Sequence, residues 1–223
     1  MNQPKSIEQL DQNFSAPKLA DGMLWHDART LRLAGLGWRN DERHVPYDRL
    51  PARAKPVVRV NLWILSEFSA GIHIRFRSDA KEIAARWRLR NANLSMPHMP
   101  STGMRGLDLY TPDQGRWHWA GLGRPSGLEN KATLIKPPPG TREYLLYLPL
   151  YNGVASLEIG VPEGATLQPG PTWPGKPILF YGTSITHGGC AARAGMAYPS
   201  ILGRWLDRDI INMGFSGNGW MEL

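Results

Sequence analysis

Ile178-Leu179-Phe180-Tyr181-Gly182-Thr183-Ser184-Ile185-Thr186-His187-Gly188-Gly189 reads as an apolar strand that runs into a turn of small residues and then a helix. A tight turn lifts a hydroxyl clear of the strand, and the helix N-terminus that follows favours negative charge beside it. Ser184 is therefore the best nucleophile candidate in the chain, although serine in such a turn also serves as a helix N-cap. Further along, Ala197 to Asp207 carries Ile201, Leu202, Trp205 and Leu206 at helical spacing, and Ile210-Ile211 forms a second apolar run before Asn212-Met213-Gly214. Strand, helix and strand in this order imply parallel strands, and a parallel sheet is normally covered on both faces. Two strands and one helix cannot supply that cover. The far faces of both strands are expected to be exposed, the second domain to be cut short, and the open strand edge to favour association into an oligomer.

Upstream the grammar is different. From Trp25 to about Val161 the period is two: Ile72 to Arg77 alternates strictly, Ile83, Ala85, Trp87 and Leu89 alternate with Ala84, Arg86, Arg88 and Arg90, and Leu157, Ile159 and Val161 repeat the pattern. These read as half-buried strands. Val57 to Leu62, Arg105 to Tyr110, Arg116 to Gly121, Lys131 to Ile135 and Glu143 to Leu148 are further strand candidates, with turn signals such as Pro137-Pro138-Pro139-Gly140 between them. Many short strands with one polar face each predict an all-β antiparallel sandwich or jelly roll over residues 1–161. Residues 162–177 are too rich in proline and glycine for strand or helix and read as a linker. The α/β segment occupies 178–223.

Of 223 residues, 42% are hydrophobic and 20% charged, which is globular rather than disordered composition. The net charge of +7 comes from scattered arginines without a basic run, so a basic surface is expected and no nucleic-acid partner. Cys190 is the only cysteine, which excludes an intramolecular disulfide; it reads as a small residue filling space behind the serine turn. His26, His44, His73 and His98 show no ligand spacing, so neither a metal nor a cofactor is expected. The N-terminus, MNQPKSIEQLDQNF, lacks the apolar core of a signal peptide, and no apolar run approaches the roughly 20 residues of a membrane span. A soluble cytoplasmic protein is the expectation, with a removed signal left open.

A second loop follows the second apolar run: Gly214-Phe215-Ser216-Gly217-Asn218-Gly219. Open α/β sheets place their ligand crevice after parallel strands, and small residues let backbone N–H groups approach a ligand closely. Acyl transfer needs a nucleophile beside converging N–H donors, because charge develops on the carbonyl oxygen. Ser184 with Gly217 satisfies that need, and Asn218 either assists the loop by hydrogen bonding or simply forms its turn. His187, three residues beyond Ser184, is either a local base or a polar residue at the helix entry. Trp117 and Trp119, flanking His118, fall on one face of a strand, for core or inter-domain packing or as a sugar-stacking platform. Asp108 and Tyr110 share one side of their strand, either as structural, domain-docking residues or reaching toward the crevice.

At these residues the chain resembles a known family. FYGTSITHGG is similar to the nucleophile block of the SGNH (GDSL-type) hydrolases, with Thr183 where many members carry Asp. INMGFSGNG resembles their second block, whose glycine donates to the oxyanion hole. MRGLDLY, with Gly106, Asp108, Leu109 and Tyr110, resembles the GxDLY-type N-terminal domain of one esterase branch. The resemblance implies a β-sandwich or jelly-roll-like domain followed by the start of an α/β, flavodoxin-like, three-layer hydrolase domain. It implies a serine esterase, with Ser184 as nucleophile and the N–H groups of Ser184 and Gly217 in the oxyanion hole. The substrate expected is a carboxylic ester, such as the acetyl ester of a small molecule or carbohydrate. The family's third block, with its Asn, and its last, DxxH, with the triad Asp and His, have no counterpart before Leu223, so the chain alone is expected to be nearly inactive. A reading from another class is a non-catalytic carbohydrate-binding or protein-docking β-sandwich.

Overall fold

The computed structural model describes residues 18–20, 22–93 and 96–221, so the reading of the MNQPKSIEQLDQNF segment lies outside the described residues. In chain order, β1 (Lys18–Ala20), β2 (Met23–Asp27) and β3 (Arg32–Ala34) precede helix α1 (Val60–Ser66) and strands β4 (His73–Ser78) and β5 (Ile83–Leu89). A one-turn helix α2 (Ser101–Met104) leads to β6 (Leu107–Asp113), β7 (Arg116–Gly123), β8 (Glu129–Ile135), β9 (Arg142–Tyr147), β10 (Val154–Pro162) and β11 (Leu167–Pro169). The second part holds β12 (Ile178–Gly182), α3 (Ser184–His187), α4 (Tyr198–Leu206) and β13 (Ile210–Gly214).

The first eleven strands form two antiparallel sheets, ordered β1-β2-β10-β5-β8 and β11-β4-β9-β6-β7, with β3 also on β4. Period-two alternation turns Ile74, Phe76, Ile83, Trp87, Leu107, Leu109, Leu146, Leu157 and Ile159 into the space between the sheets, where all are buried. Each such side chain contributes about 1.5–3 kcal/mol by leaving water. This is the β domain, and the start of an α/β domain follows it.

Four sequence expectations need correction. Val57 to Leu62 is not a strand: from Val60 onward the backbone is helix α1, whose Leu62, Trp63 and Leu65 pack against Ile211, Met213 and Phe215. Contact at helical spacing decides there over a short β-branched run. Strand β4 is more than half-buried, since His73 and Arg75 are buried along with Ile74 and Phe76 and only Arg77 on that face is exposed. The proline-rich segment is packed: β11 lies antiparallel on β4, and the Trp173 indole donates to His73 Nε2 at 3.2 Å. Proline is tolerated there because β11 is an edge strand.

The fourth concerns β12 and β13. They are parallel, with Ile178 opposite Ile210 and Gly182 opposite Gly214. Only β12 keeps an exposed face, through Leu179 (56% exposed) and Tyr181 (40%). Every residue of β13 is buried because the β domain supplies the missing cover. Ile178 N–H donates to Asp209 O at 2.9 Å and Phe215 N–H to Gly182 O at 2.9 Å, so by parallel alternation the carbonyls of Asn212 and Gly214 face away from β12. The buried Arg49 side chain takes up both. In α4 it is Pro199, Ser200 and Gly203 that are buried, while Trp205 and Leu206 remain exposed.

Candidate active site

Strand β12 delivers Ser184 into α3, and three glycines set the distance. A Cβ on Gly182 would lie 2.3 Å from Thr186 Oγ1, one on Gly214 2.1 Å from His187 N, and one on Gly219 2.2 Å from Gly182 O. The helix thus rests on the strand ends at a separation that no larger residue permits. Thr183 holds the N-cap position without a side-chain cap bond, and Ser184 is the first helical residue. The N-cap reading of Ser184 is therefore replaced: its N–H has no intrahelical acceptor, and its half-buried side chain borders a cavity. With a single turn, α3 offers open N–H groups more than a macrodipole. It ends at Gly188 (φ 110°), where Gly189 N–H donates to Ser184 O at 2.7 Å.

The second loop is braced from three sides. Asn218 N–H closes a turn onto Phe215 O at 2.8 Å, and Gly217 adopts φ 67° with open space where a Cβ would stand, so conformation rather than crowding calls for glycine. Ser216 N–H points to His187 Nδ1 at 3.4 Å. Asn218 Oδ1 accepts from Arg59 at 2.6 Å while its Nδ2 donates to Ser216 O at 2.9 Å, so the amide is occupied in holding the loop. The Arg59 guanidinium also lies 3.8 Å over the Trp220 ring.

His187 is not a polar entry residue. It is fully buried, stacked on Tyr151 with ring centroids 4.2 Å apart, and its Nε2 lies 2.7 Å from Leu150 O. Burial, reinforced by the nearby Arg49 charge, holds its pKa well below the usual 6.5. A neutral ring that donates from Nε2 and accepts at Nδ1 fits both neighbours. That leaves no nitrogen for Ser184, and among the described residues no imidazole or carboxylate is hydrogen-bonded to the Ser184 hydroxyl. Cys190 also departs from its reading: it is exposed, with φ 65°, and lines the cavity instead of filling space behind the turn.

The cavity measures about 610 Å³ and has two walls. Ser184, Ile185, Gly189, Cys190, Ser216 and Asn218 form one; Asn61, Ile64, Leu65, Phe68, Met96, His98 and Tyr151 of the β domain form the other. The second wall is absent from the sequence reading because α1 reads as a strand there. Arg49 ties the walls together. Its Nε donates to Phe68 O at 2.9 Å and Nη2 to Leu65 O at 2.6 Å, while Nη1 donates to Gly214 O at 2.6 Å and Asn212 O at 3.2 Å. No carboxylate is hydrogen-bonded to it among the described residues, and burial pushes its pKa down to about 9.

This arrangement of a serine turn and a glycine loop against a β domain has counterparts. A family described as GxDLY, the N-terminus of SGNH hydrolase-type esterases, matches residues 23–167. The chain belongs to that family. The GDSL-like lipase/acylhydrolase family matches residues 175–223. Among solved structures, a candidate GDSL-like lipase from Bacteroides ovatus ATCC 8483 is 34% identical with a TM-score of 0.83, over 90% of this chain and 58% of that one. The salicylyl-acyltransferase SsfX3 from a tetracycline biosynthetic pathway is 19% identical with a TM-score of 0.68, over 90% of this chain and 56% of that one, a likeness of fold. The chain thus spans less than three fifths of the length of either structure. No curated protein matches it.

In this SGNH-type chain the GxDLY residues join the two parts. Asp108 is fully buried; it accepts from Gly195 N–H at 2.9 Å, Trp119 Nε1 at 3.0 Å, Tyr110 OH at 3.1 Å and Arg193 Nε at 3.3 Å. Burial raises its pKa against the pull of these donors. A Cβ on Gly195 would stand 2.4 Å from the Tyr110 ring, and Arg204 of α4 lies 3.9 Å over that ring. Neither Asp108 nor Tyr110 lines the cavity. Trp117 packs 6.1 Å from Trp173, so the indole stripe works at the junction too. Among the described residues, no group of three His, Cys, Asp or Glu is placed to hold a metal, and no helix is long and apolar enough to cross a membrane.

Proposed function

We propose that the whole protein is a carboxylic ester hydrolase in which Ser184 accepts the acyl group. The observation that carries this reading is Ser184 at the first position of α3, bordering a cavity that also reaches the glycine loop. Ser184 Oγ attacks the ester carbonyl carbon, and the electron pair of the C=O bond moves onto oxygen. The N–H groups of Ser184 and Gly217 stabilise that oxyanion, an interaction worth on the order of a hundred- to a thousandfold per donor. Collapse releases the alcohol and leaves an acyl-serine, which water then hydrolyses. Asn218, held by Arg59, keeps the loop in place; Asp108 and Tyr110 hold the α/β part against the β domain.

The Ser184 proton needs an acceptor, and the reading assigns that acceptor to residues of the whole protein outside those described. Without it a serine is a weak nucleophile near neutral pH, and the 223-residue chain alone turns over esters only residually. A fluorophosphonate probe tests the nucleophile directly. Full-length protein should be labelled at Ser184 and Ser184→Ala should not; a folded protein left unlabelled at Ser184 overturns the proposal. For the alternative of a sugar-binding sandwich, Trp117 is taken up by packing near Trp173, while Trp119 is hydrogen-bonded to Asp108 and stays 53% exposed.

A further inference from the structure

The cavity beside Ser184 is apolar on a scale that an acetyl group does not use. Ile64, Leu65, Phe68, Met96, Tyr151 and Ile185 dominate its lining, and among the described residues no Asp, Glu, Lys or Arg borders it. Its 610 Å³ falls in the range of pockets that enclose drug-sized ligands. Ile64 and Ile185 line it while remaining 48% and 75% exposed, so their apolar surface stays in water until something covers it. A sugar would need convergent hydrogen-bonding groups; the polar side chains that border the cavity include Asn61, His98, Ser216 and Asn218, and the Asn218 amide is already engaged by Arg59 and Ser216. Among the described lining residues the exposed His98 imidazole is the one group able to face an anionic acyl group, set against that group's loss of hydration.

We infer that the site takes esters of a bulky, uncharged apolar acyl group, aryl or medium-chain, whose body lies along helix α1 of the β domain. The reading that Ser184 receives the acyl group underlies the orientation: the carbonyl carbon sits at Ser184 and the apolar part extends toward Ile64 and Phe68. The acyl group stays on Ser184 until water attacks, so an acyl-side pocket acts in both half-reactions, whereas the alcohol leaves after the first. Such an ester differs from the acetyl ester expected from the sequence, and it gives the β domain a part in selecting substrate.

Cys190 supplies a readout that does not depend on turnover, because it is the only cysteine and lines the same cavity. The rate at which iodoacetate modifies Cys190 is measured in the 223-residue chain with unreactive amides present. Octanamide and benzamide should slow the reaction saturably, half-saturating at concentrations at least about tenfold below acetamide. Xylose should not protect, and N-octylacetamide, with its chain on the alcohol side, should protect less than octanamide. Ile64→Glu should remove the protection by octanamide; Ile185→Glu, at a more exposed position, makes the same test if Ile64→Glu fails to fold. Equal protection by acetamide or xylose, or none by the apolar amides, overturns the inference. Equal protection by N-octylacetamide overturns the acyl-side assignment. Protection in Ser184→Ala persists whether or not Ser184 is a nucleophile, so failed fluorophosphonate labelling and failed protection are separate results.

Discussion

Arg49 and Gly214 meet across the domain junction, with the guanidinium donating to the Gly214 carbonyl at 2.6 Å on the edge of β13 turned away from β12. Removing that side chain leaves the carbonyls of Phe68, Asn212 and Gly214 without their donor, while the Leu65 carbonyl keeps the Phe68 N–H at 3.3 Å. Each buried unsatisfied group costs about 1–3 kcal/mol. Arg49→Met is therefore expected to lose about 3 kcal/mol or more in urea unfolding. Arg49→Lys should recover only part, since one ammonium cannot reach carbonyls on both walls. A loss below about 1 kcal/mol for Arg49→Met would contradict this role.

Gly214 and Gly217 should respond differently to alanine. At Gly214 the new Cβ meets the His187 nitrogen at 2.1 Å and the Thr186 carbonyl carbon at 2.5 Å, both backbone atoms that cannot step aside. Gly214→Ala should push α3 off β13 and yield little folded protein. At Gly217 nothing lies within 4 Å, and only the left-handed backbone, φ 67°, resists. Gly217→Ala should fold with a loss of about 1–2 kcal/mol. Paired thermal melts decide the matter, and equal losses would refute the contrast.

Two buried groups make opposite contributions to the pH dependence of stability. Burial, outweighing the Arg90 charge, raises Asp48 to about 6, above its ordinary 3.8. The folded state therefore holds the Asp48 proton more tightly than the unfolded chain, and this contribution to stability falls as pH rises from about 4 to about 6. Asp48→Asn should be more damaging at pH 4 than at pH 7, by up to about 3 kcal/mol. His187 is depressed below 6.5, so its contribution is present above that value and is lost as pH falls below it. Nitrogen-15 NMR should show the His187 ring neutral, protonated at Nε2, at pH 6.5, where a free imidazole is half protonated. A ring titrating near 6.5 would mean that it is not buried as described.

The exposed apolar side chains of the second part predict association of the 223-residue chain. Leu179, Tyr181, Ile185, Trp205 and Leu206 are all exposed, and the backbone edge of β12 away from β13 pairs with no strand among the described residues. Light scattering after size exclusion should find dimers or larger species whose share rises with concentration. Leu179→Lys with Trp205→Lys should shift the population toward monomer. A parent chain that stays monomeric at every concentration would remove the basis for this prediction.

Alternation made β4, β5 and β10 legible, because a strand with one face in a core repeats at two whatever covers its other face. The serine turn was legible for a similar reason: Gly182, Ser184 and Gly214 answer local backbone needs that leave a mark in residue type. What lay beyond reach depends on packing between distant segments. Val60 to Ser66 is helical because Leu62, Trp63 and Leu65 find β13, some 150 residues later, and a β-branched run discloses nothing of that. Arg49 is one scattered arginine among many until four carbonyls converge on it. His187 and Cys190 traded expected places, because the turn of α3 sends the imidazole inward to Tyr151 and Gly188 turns the chain outward before the thiol.

Asp108 is the acidic residue of MRGLDLY, and both its oxygens are occupied by Gly195, Trp119, Tyr110 and Arg193. An alanine scan scored on culture activity would rank it beside Ser184, although it borders no part of the cavity. On the proposed role of Ser184 the two separate only when output is divided by the amount of folded protein: a lost latch lowers the yield of molecules, a lost acyl acceptor the work done by each.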